Sequence, residues 1–190
     1  MSNLLLIKHS EPAVDLELPP SKWQLSGRGK QRAGLLGDYL ADLGVSALYS
    51  SSEAKAVETA DIIGAAIGLP VDVVHDLREH DRASTPVIDA EKWRSLVIEA
   101  IRKQDEQIYG AEPVSTARKR FGRAVERLMK PHERYDKTVA IVSHGTVIST
   151  FAAALLEIDP VPIWESLGLP GLIEIEWPRT SGMPALRNFV

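Results

Sequence analysis

The chain has 190 residues, of which 44% are apolar and 25% charged, which is typical of a globular protein that can bury a sizeable core. It contains no cysteine, which excludes disulfides, thiol catalysis and Cys-ligated metals. The formal net charge of -4 argues against nucleic acid or an anionic membrane as the main partner. We expect a cytoplasmic protein, because the first residues do not follow a signal-peptide pattern and no apolar run approaches the length of a membrane span.

The first part of the chain predicts alternating strands and helices. Short apolar runs predict three strands, over residues 4–7, 45–49 and 71–74. Ser26 is predicted to cap a helix that runs to about Leu43. Ser51 or Ser52 is predicted to cap a second helix, which ends before Gly68. This β-α-β-α-β order indicates a mostly parallel sheet covered by helices.

The pattern changes between residues 82 and 136, which are polar and mostly helical. Asp89 is predicted to cap one helix there, and a second spans about 115–129. We interpret this segment as a helical insertion over one edge of the sheet, within a single domain of residues 1–190. A strand at 138–142, a helix through Leu155 and strands at 172–177 and 186–190 follow. The predicted fold is an α/β three-layer sandwich, with a mostly parallel sheet and helices on both faces.

Two histidines stand where predicted strands end. His9 follows the first apolar run, and His144 follows the strand at 138–142 and precedes Gly145. In open sheets of this class, ligands bind just past the carboxyl ends of the strands. A helix that starts after His144 would point its first N–H groups at the same crevice, where they stabilise an anion. The two histidines are therefore candidates for one anion-binding catalytic site.

At these residues the chain resembles the histidine phosphatase (phosphoglycerate mutase-like) superfamily. That family has a strand ending in Arg-His-Gly, a Leu-Thr-x-x-Gly helix start, a Tyr-Ser-Ser-Pro segment leading to Arg-Ala-x-x-Thr-Ala, a Leu-x-Glu segment and a late Ser-His-Gly. Five blocks of this sequence follow the same order: Lys8-His9-Ser10, Leu25-Ser26-Gly27-Arg28-Gly29, Tyr49-Ser50-Ser51 with Lys55-Ala56-Val57-Glu58-Thr59-Ala60, Leu77-Arg78-Glu79, and Ser143-His144-Gly145-Thr146. The resemblance covers nearly the whole chain.

The resemblance implies a role for each matching residue. His9 is the expected nucleophile, which attacks phosphorus to form a phosphohistidine. His144 is expected to donate hydrogen bonds to the transferring phosphoryl oxygens. Glu79 is expected to protonate the leaving oxygen and later to activate water, and Asp81 is the alternative acid.

The sequence departs from the family at the two arginines that clamp phosphate, because Lys8 and Lys55 stand in their places. Lysine keeps the charge but lacks the two parallel N–H groups of a guanidinium. The third residue of the first motif is Ser10 instead of Gly, and Ser52 replaces the usual Pro. The predicted phosphate-binding residues are Lys8, Lys55, Ser10 and Arg78. Arg82 and Arg28 stay open as further cationic helpers.

The predicted function is hydrolysis of a small phosphorylated metabolite through phosphohistidine, without a cofactor. No metal site is predicted, since His75, His80 and His132 lack partners at ligand spacing. A mutase is less favoured, because no further arginine cluster is assigned to a second phosphate. Two alternatives stay open: an impaired member that binds a phosphorylated ligand or a protein partner, and an interaction scaffold. The expected ligand is a small phosphorylated substrate or inorganic phosphate, and a homodimer stays open.

Overall fold

Six strands form one sheet in the computed structural model, which describes residues 2–82, 89–133, 136–177 and 185–188. The strands are β1 (Ser2–Lys8), β2 (Val45–Ser50), β3 (Val71–Val73), β4 (Thr138–Ser143), β5 (Gly171–Trp177) and β6 (Ala185–Asn188). Their spatial order is β3-β2-β4-β1-β5-β6. The first four are parallel, whereas β5 and β6 pair antiparallel. The predicted mostly parallel sheet is confirmed; the last two residues of its predicted final strand lie outside the described residues.

Six α-helices connect or cover these strands. They are α1 (Gly27–Ala41), α2 (Ala54–Ile67), α3 (Ala90–Arg102), α4 (Val114–Met129), α5 (Gly145–Leu156) and α6 (Pro160–Ser166). The Ser26 hydroxyl accepts from the backbone N–H of Gly29, so the predicted cap of α1 is present. Helix α6 was not predicted; the carboxylate of Asp159 caps it and Pro160 occupies its first position.

The predicted cap of α2 is wrong. Glu53, and neither Ser51 nor Ser52, is the residue that precedes the first turn, and its side chain makes no capping bond. The hydroxyl of Ser51 accepts from the N–H of Glu53 instead, at 3.3 Å. The Glu53 carboxylate therefore takes no part in capping α2.

Alternation along the central strands divides the core into two layers, as the period of a strand requires. Leu4 and Leu6 lie with the buried side chains of α4 and α5 on one face. Leu5 and Ile7 lie with those of α1 and α2 on the other. Helices therefore cover both faces, and the three-layer α/β prediction is confirmed.

The two helices of the predicted insertion differ in what they contact. Helix α4 buries Phe121 and Val125 in the same core cluster as the sheet. Helix α3 buries Val97 and Ile101 in a separate cluster that includes Val161 of α6. The structure thus makes α4 part of the core layer and α3 a cover beside it, while the single-domain assignment stays a prediction.

The central position of Leu6 generates a test of this core. Leu6 is fully buried, so Leu6→Ala removes apolar contacts and leaves a cavity. We expect the free energy of unfolding to fall by about 2–5 kcal/mol, measured by urea denaturation. Leu35 on α1 is 53% exposed, and Leu35→Ala should change stability by less than about 0.5 kcal/mol. Equal losses in the two variants would contradict this assignment of the core.

Candidate active site

The two histidines meet at the carboxyl edge of the sheet. Lys8 is in register with Ser143 in the parallel pair of β1 and β4, and the N–H of His9 donates to the Ser143 carbonyl at 2.9 Å. The residues after both strands therefore emerge side by side. The rings of His9 and His144 have centroids 5.2 Å apart, with their planes inclined by 62°. This is the shared crevice that the sequence predicts, and the roles of the two residues stay predictions.

The ring of His9 has a defined orientation. Its Nδ1 lies 2.8 Å from the carbonyl oxygen of Ser10, which can only accept, so Nδ1 carries the hydrogen. Burial lowers the pKa of His9 well below its ordinary value, and the nearby charge of Lys55 adds to this effect. His9 is therefore neutral, and the lone pair of Nε2 is available to attack an electrophile.

His144 is fully buried between β4 and α5. Its Nε2 lies 2.7 Å from the Ser51 hydroxyl and 3.5 Å from Oε1 of Glu53. Burial lowers its pKa well below the ordinary value, followed by the charges of Lys55 and Arg82. Its Nδ1 is buried without a hydrogen-bond partner among the described residues. A neutral ring with contacts to a hydroxyl and a carboxylate can donate to an oxygen in the pocket.

The two lysines at the family's arginine positions both carry other contacts. Nζ of Lys8 donates to the carbonyl of Leu167 at the end of α6, at 2.8 Å. A Cβ atom at Gly145 would lie 3.4 Å from Cε of Lys8 and from Nε1 of Trp164, so the glycine leaves room for both side chains. The pKa of Lys8 is lowered to about 8, mainly because the group is buried; the charge of Glu79 opposes this shift and that of Arg82 adds to it.

Lys55 is held by a carboxylate that the motif analysis missed. Its Nζ lies 2.5 Å from Oε2 of Glu53 and donates to the carbonyl of Pro20 at 2.8 Å. Burial acts to raise the pKa of Glu53, but attraction to Lys55 outweighs it and the pKa falls below its ordinary value. The other Glu53 oxygen accepts the N–H of Glu79 at 2.9 Å and faces His144. A negative charge therefore lies beside His144. In the sequence, Glu53 is only an acidic residue two places before Lys55.

Glu79 lies at the start of α5. Its carboxylate oxygens accept from the backbone N–H groups of Thr146 and Val147, at 3.1 and 3.2 Å, and from that of His80 at 2.9 Å. Nη2 of Arg82 lies 3.4 Å from Oε2. The carboxyl group is 5% exposed and fixed against the helix that follows His144. The structure thus brings Glu79 to the histidines by way of α5.

Two predicted phosphate-binding residues have structural contacts here. The hydroxyl of buried Ser10 donates to the carbonyl of Gly29 at 2.7 Å, which ties the first motif to α1. Arg78 contacts the carboxylate of Asp76 at 3.8 Å and the carbonyl of His75 at 3.4 Å. Neither contact belongs to the histidine pocket, so a role of Arg78 in binding phosphate stays a prediction without support from these contacts.

The described part of the chain contains neither a metal-binding cluster nor a membrane-spanning helix. No group of three or more His, Asp or Glu side chains there is arranged to hold a metal ion. Within the same residues, no helix is both long and apolar enough to span a membrane.

Several known proteins are similar to this chain over most of its length. Phosphoserine phosphatase 1 of Hydrogenobacter thermophilus is 27% identical, with 86% of this chain and 81% of that protein covered. A probable phosphoglycerate mutase, GpmB, of Salmonella paratyphi A is 24% identical over 86% and 78% of the two chains. A mutant phosphoserine phosphatase of Entamoeba histolytica, solved with phosphoserine, superposes with a TM-score of 0.75 at 23% identity over 100% and 96% of the chains.

A family model decides the assignment. The model of the histidine phosphatase superfamily (branch 1) matches residues 4–185. Both strand-end histidines and the Leu-x-Glu segment lie within that match, and so do the lysines that replace the arginines. The chain therefore belongs to the histidine phosphatase superfamily, as a divergent member with Lys8 and Lys55 where the family has its two phosphate-binding arginines.

Proposed function

We propose that the protein hydrolyses phosphomonoesters of small metabolites through a phosphohistidine formed on His9. The observation that carries this proposal is the neutral ring of His9, whose Nδ1–H is held by the Ser10 carbonyl and whose centroid lies 5.2 Å from that of the His144 ring. Relatives that include a phosphoserine phosphatase support a small phosphorylated substrate.

In the first step, the Nε2 lone pair of His9 attacks phosphorus as the bond from phosphorus to the ester oxygen breaks. The leaving oxygen takes a proton from the carboxyl group of Glu79, so an alcohol departs. His144 donates a hydrogen bond to a phosphoryl oxygen as negative charge redistributes. The products of this step are the alcohol, N-phosphorylated His9 and the Glu79 carboxylate.

In the second step, water attacks phosphorus and the bond to His9 breaks. The Glu79 carboxylate accepts the proton of that water and returns to its acid form, and inorganic phosphate leaves. Glu79 is suited to both steps because its backbone bonds to Thr146 and Val147 fix it beside the pocket. Asp81 is the alternative acid, two residues further along the chain.

Trapping the intermediate tests this mechanism. His9→Ala should lower kcat/KM on p-nitrophenyl phosphate by roughly 10³-fold or more, because no other side chain supplies the nucleophile. Rapid quenching of the wild-type protein should yield acid-labile, alkali-stable phosphate that phosphorus NMR identifies as phosphohistidine. His132→Ala, a histidine away from the pocket, is the matched control and should retain activity.

Two results would count against the mechanism. One is normal turnover by the His9→Ala variant. The other is activity that disappears in EDTA and returns with Zn²⁺ or Mg²⁺, since the proposed steps use no metal ion.

The lowered pKa of Lys8 predicts a pH dependence of phosphate binding. A lysine is charged below its pKa, so Lys8 attracts phosphate below pH 8 and loses its charge as the pH rises through about 8. We expect the affinity for inorganic phosphate to fall above that value, by up to about tenfold per pH unit. Calorimetric titration across this range measures it.

An arginine at this position should remove the effect, because a guanidinium stays charged throughout. Lys8→Arg should therefore bind phosphate with a flatter profile above pH 8, while Lys92→Arg on exposed α3 should follow the wild type. A wild-type profile as flat as that of Lys8→Arg would show that another group controls the affinity.

One observation bears on the alternative, a catalytically impaired member of the family with little turnover. The Glu53 carboxylate contacts Lys55 and lies 3.5 Å from Nε2 of His144. It therefore occupies hydrogen-bond donors that a bound phosphate would need. A phosphate bound there would lie within a few ångströms of this carboxylate, and inside a protein two negative charges that close repel by more than the thermal energy. Glu53 thus opposes entry of an anion unless it moves.

Glu53→Gln separates the two functions, because it keeps the shape and removes the charge. We expect phosphate to bind about tenfold more tightly or better, equivalent to ~1.4 kcal/mol or more, measured by calorimetry. A parallel rise in turnover would identify a working enzyme restrained by Glu53, and tighter binding without turnover would identify a binding protein. Glu99→Gln on the surface of α3 is the control. Unchanged affinity would show that Glu53 does not act on the ligand.

A further inference from the structure

The two lysines of the pocket supply positive charge, but they lack the paired N–H groups of a guanidinium, which we call a fork. A phosphoryl group is oriented best by a guanidinium, which offers two parallel N–H bonds, whereas an ammonium is a point charge. One N–H of Lys8 donates to the Leu167 carbonyl. Two N–H groups of Lys55 donate, one to Glu53 and one to the Pro20 carbonyl. Neither lysine can supply the geometry that the family's arginines provide.

Most arginines near the carboxyl edge of the sheet are already committed. Arg120 makes four bonds with its two Nη atoms, to three backbone carbonyls and to Glu112. Arg32 contacts Glu11 and the Leu169 carbonyl. These guanidinium groups hold the fold together and have little capacity left for a ligand.

Arg82 differs from them in its contacts. Its closest polar partner is Oε2 of Glu79, at the long distance of 3.4 Å. Its Nε, like that of Arg120, is buried and has no hydrogen-bond partner among the described residues, but Arg82 lacks the four Nη bonds that hold Arg120 in place. The guanidinium lies 4.6 Å from the ring centroid of Trp93, which can fix its plane by a cation–π contact. The side chain is 26% exposed, so a ligand can reach it.

The charge of Arg82 also acts on the groups that face phosphate. After burial and opposition from Glu79, it contributes to the lowered pKa of Lys8. After burial and Lys55, it contributes to the lowered pKa of His144. The charge of Arg82 therefore acts on both Lys8, at the end of β1, and His144, directly after β4.

We propose that Arg82 is the guanidinium fork of this phosphate site and takes over the orienting task of the two missing arginines. On binding, its N–H groups exchange the long contact with Glu79 for two phosphoryl oxygens, while Trp93 keeps the plane of the group. The exchange also releases Glu79 to face the leaving oxygen. This inference rests on the proposed function for its ligand, a phosphomonoester, but not for turnover.

The experiment measures binding and turnover separately. Inorganic phosphate is titrated calorimetrically into the wild type, Arg82→Lys, Arg82→Ala and the control Arg123→Ala, which alters an exposed arginine of α4, and kcat/KM is measured on p-nitrophenyl phosphate. We expect Arg82→Ala to weaken phosphate binding about tenfold or more, Arg82→Lys to recover only a small part of it, and Arg123→Ala to match the wild type, since charge-assisted bonds are lost only at residue 82.

Chemical rescue distinguishes a ligand contact from a structural one. Free guanidinium at millimolar concentration should restore phosphate binding to Arg82→Ala and leave the wild type and Arg123→Ala unchanged, because the partly exposed position leaves space for the ion. Circular dichroism reports whether each variant is folded, and Arg82→Lys keeps the stem that packs on Trp93 if the alanine variant unfolds. Arg82→Lys with wild-type affinity, or folded Arg82→Ala without rescue, would overturn the proposal.

The outcomes also separate this inference from the hydrolase function. If phosphate binding depends on Arg82 but the wild type shows no turnover, the fork stands and the hydrolase function fails. If the wild type turns over and Arg82 variants bind phosphate equally well, the fork fails and the hydrolase function stands. A wild type that binds no phosphate would overturn both.

Discussion

The parallel pairing of β1 with β4 is the constraint on which the site depends. Their register places Lys8 opposite Ser143, so the next residue of each strand is a histidine at the same edge. A slip by one residue would separate the rings and would also turn the buried leucines of β1 toward the wrong layer. The hydrophobic core thus fixes the distance between His9 and His144. The geometry of the pocket is as stable as the sheet that carries it.

Charge balance is the second requirement of the pocket. Buried cations need counter-charges, because leaving one unpaired costs several kcal/mol. The carboxylate of Glu53 is the counter-charge of Lys55, and that of Glu79 is the counter-charge of Arg82. A phosphate can enter only by replacing these carboxylates as the partner of the cations. The two neutral histidines contribute no charge to this exchange, and a neutral ring is what the proposed role of His9 as a nucleophile requires.

The sequence predicted the features that short stretches of the chain determine by themselves. The apolar period of β1, the hydroxyl of Ser26 and the histidines after two strands could all be recognised without a structure. The role of α4 could not, since a polar-looking amphipathic helix fits an insertion as well as a core layer. Glu53 acquires its significance only through its contacts with Glu79, 26 positions along the chain, and with His144. Arg82 was open as a cationic helper, but its position over Trp93 could not be predicted. Such contacts depend on the tertiary fold.

Lysine in place of arginine makes the positive charge of the site depend on pH. A guanidinium keeps its charge at any physiological pH, whereas burial brings Lys8 close to the range in which it loses a proton. Attraction for phosphate and orientation of phosphate are then carried by different groups. Lys8 and Lys55 supply a titratable charge from β1 and α2, and Arg82 approaches from the segment after β3. A site divided in this way can lose part of its attraction while its geometry is retained, which a pair of arginines would not allow.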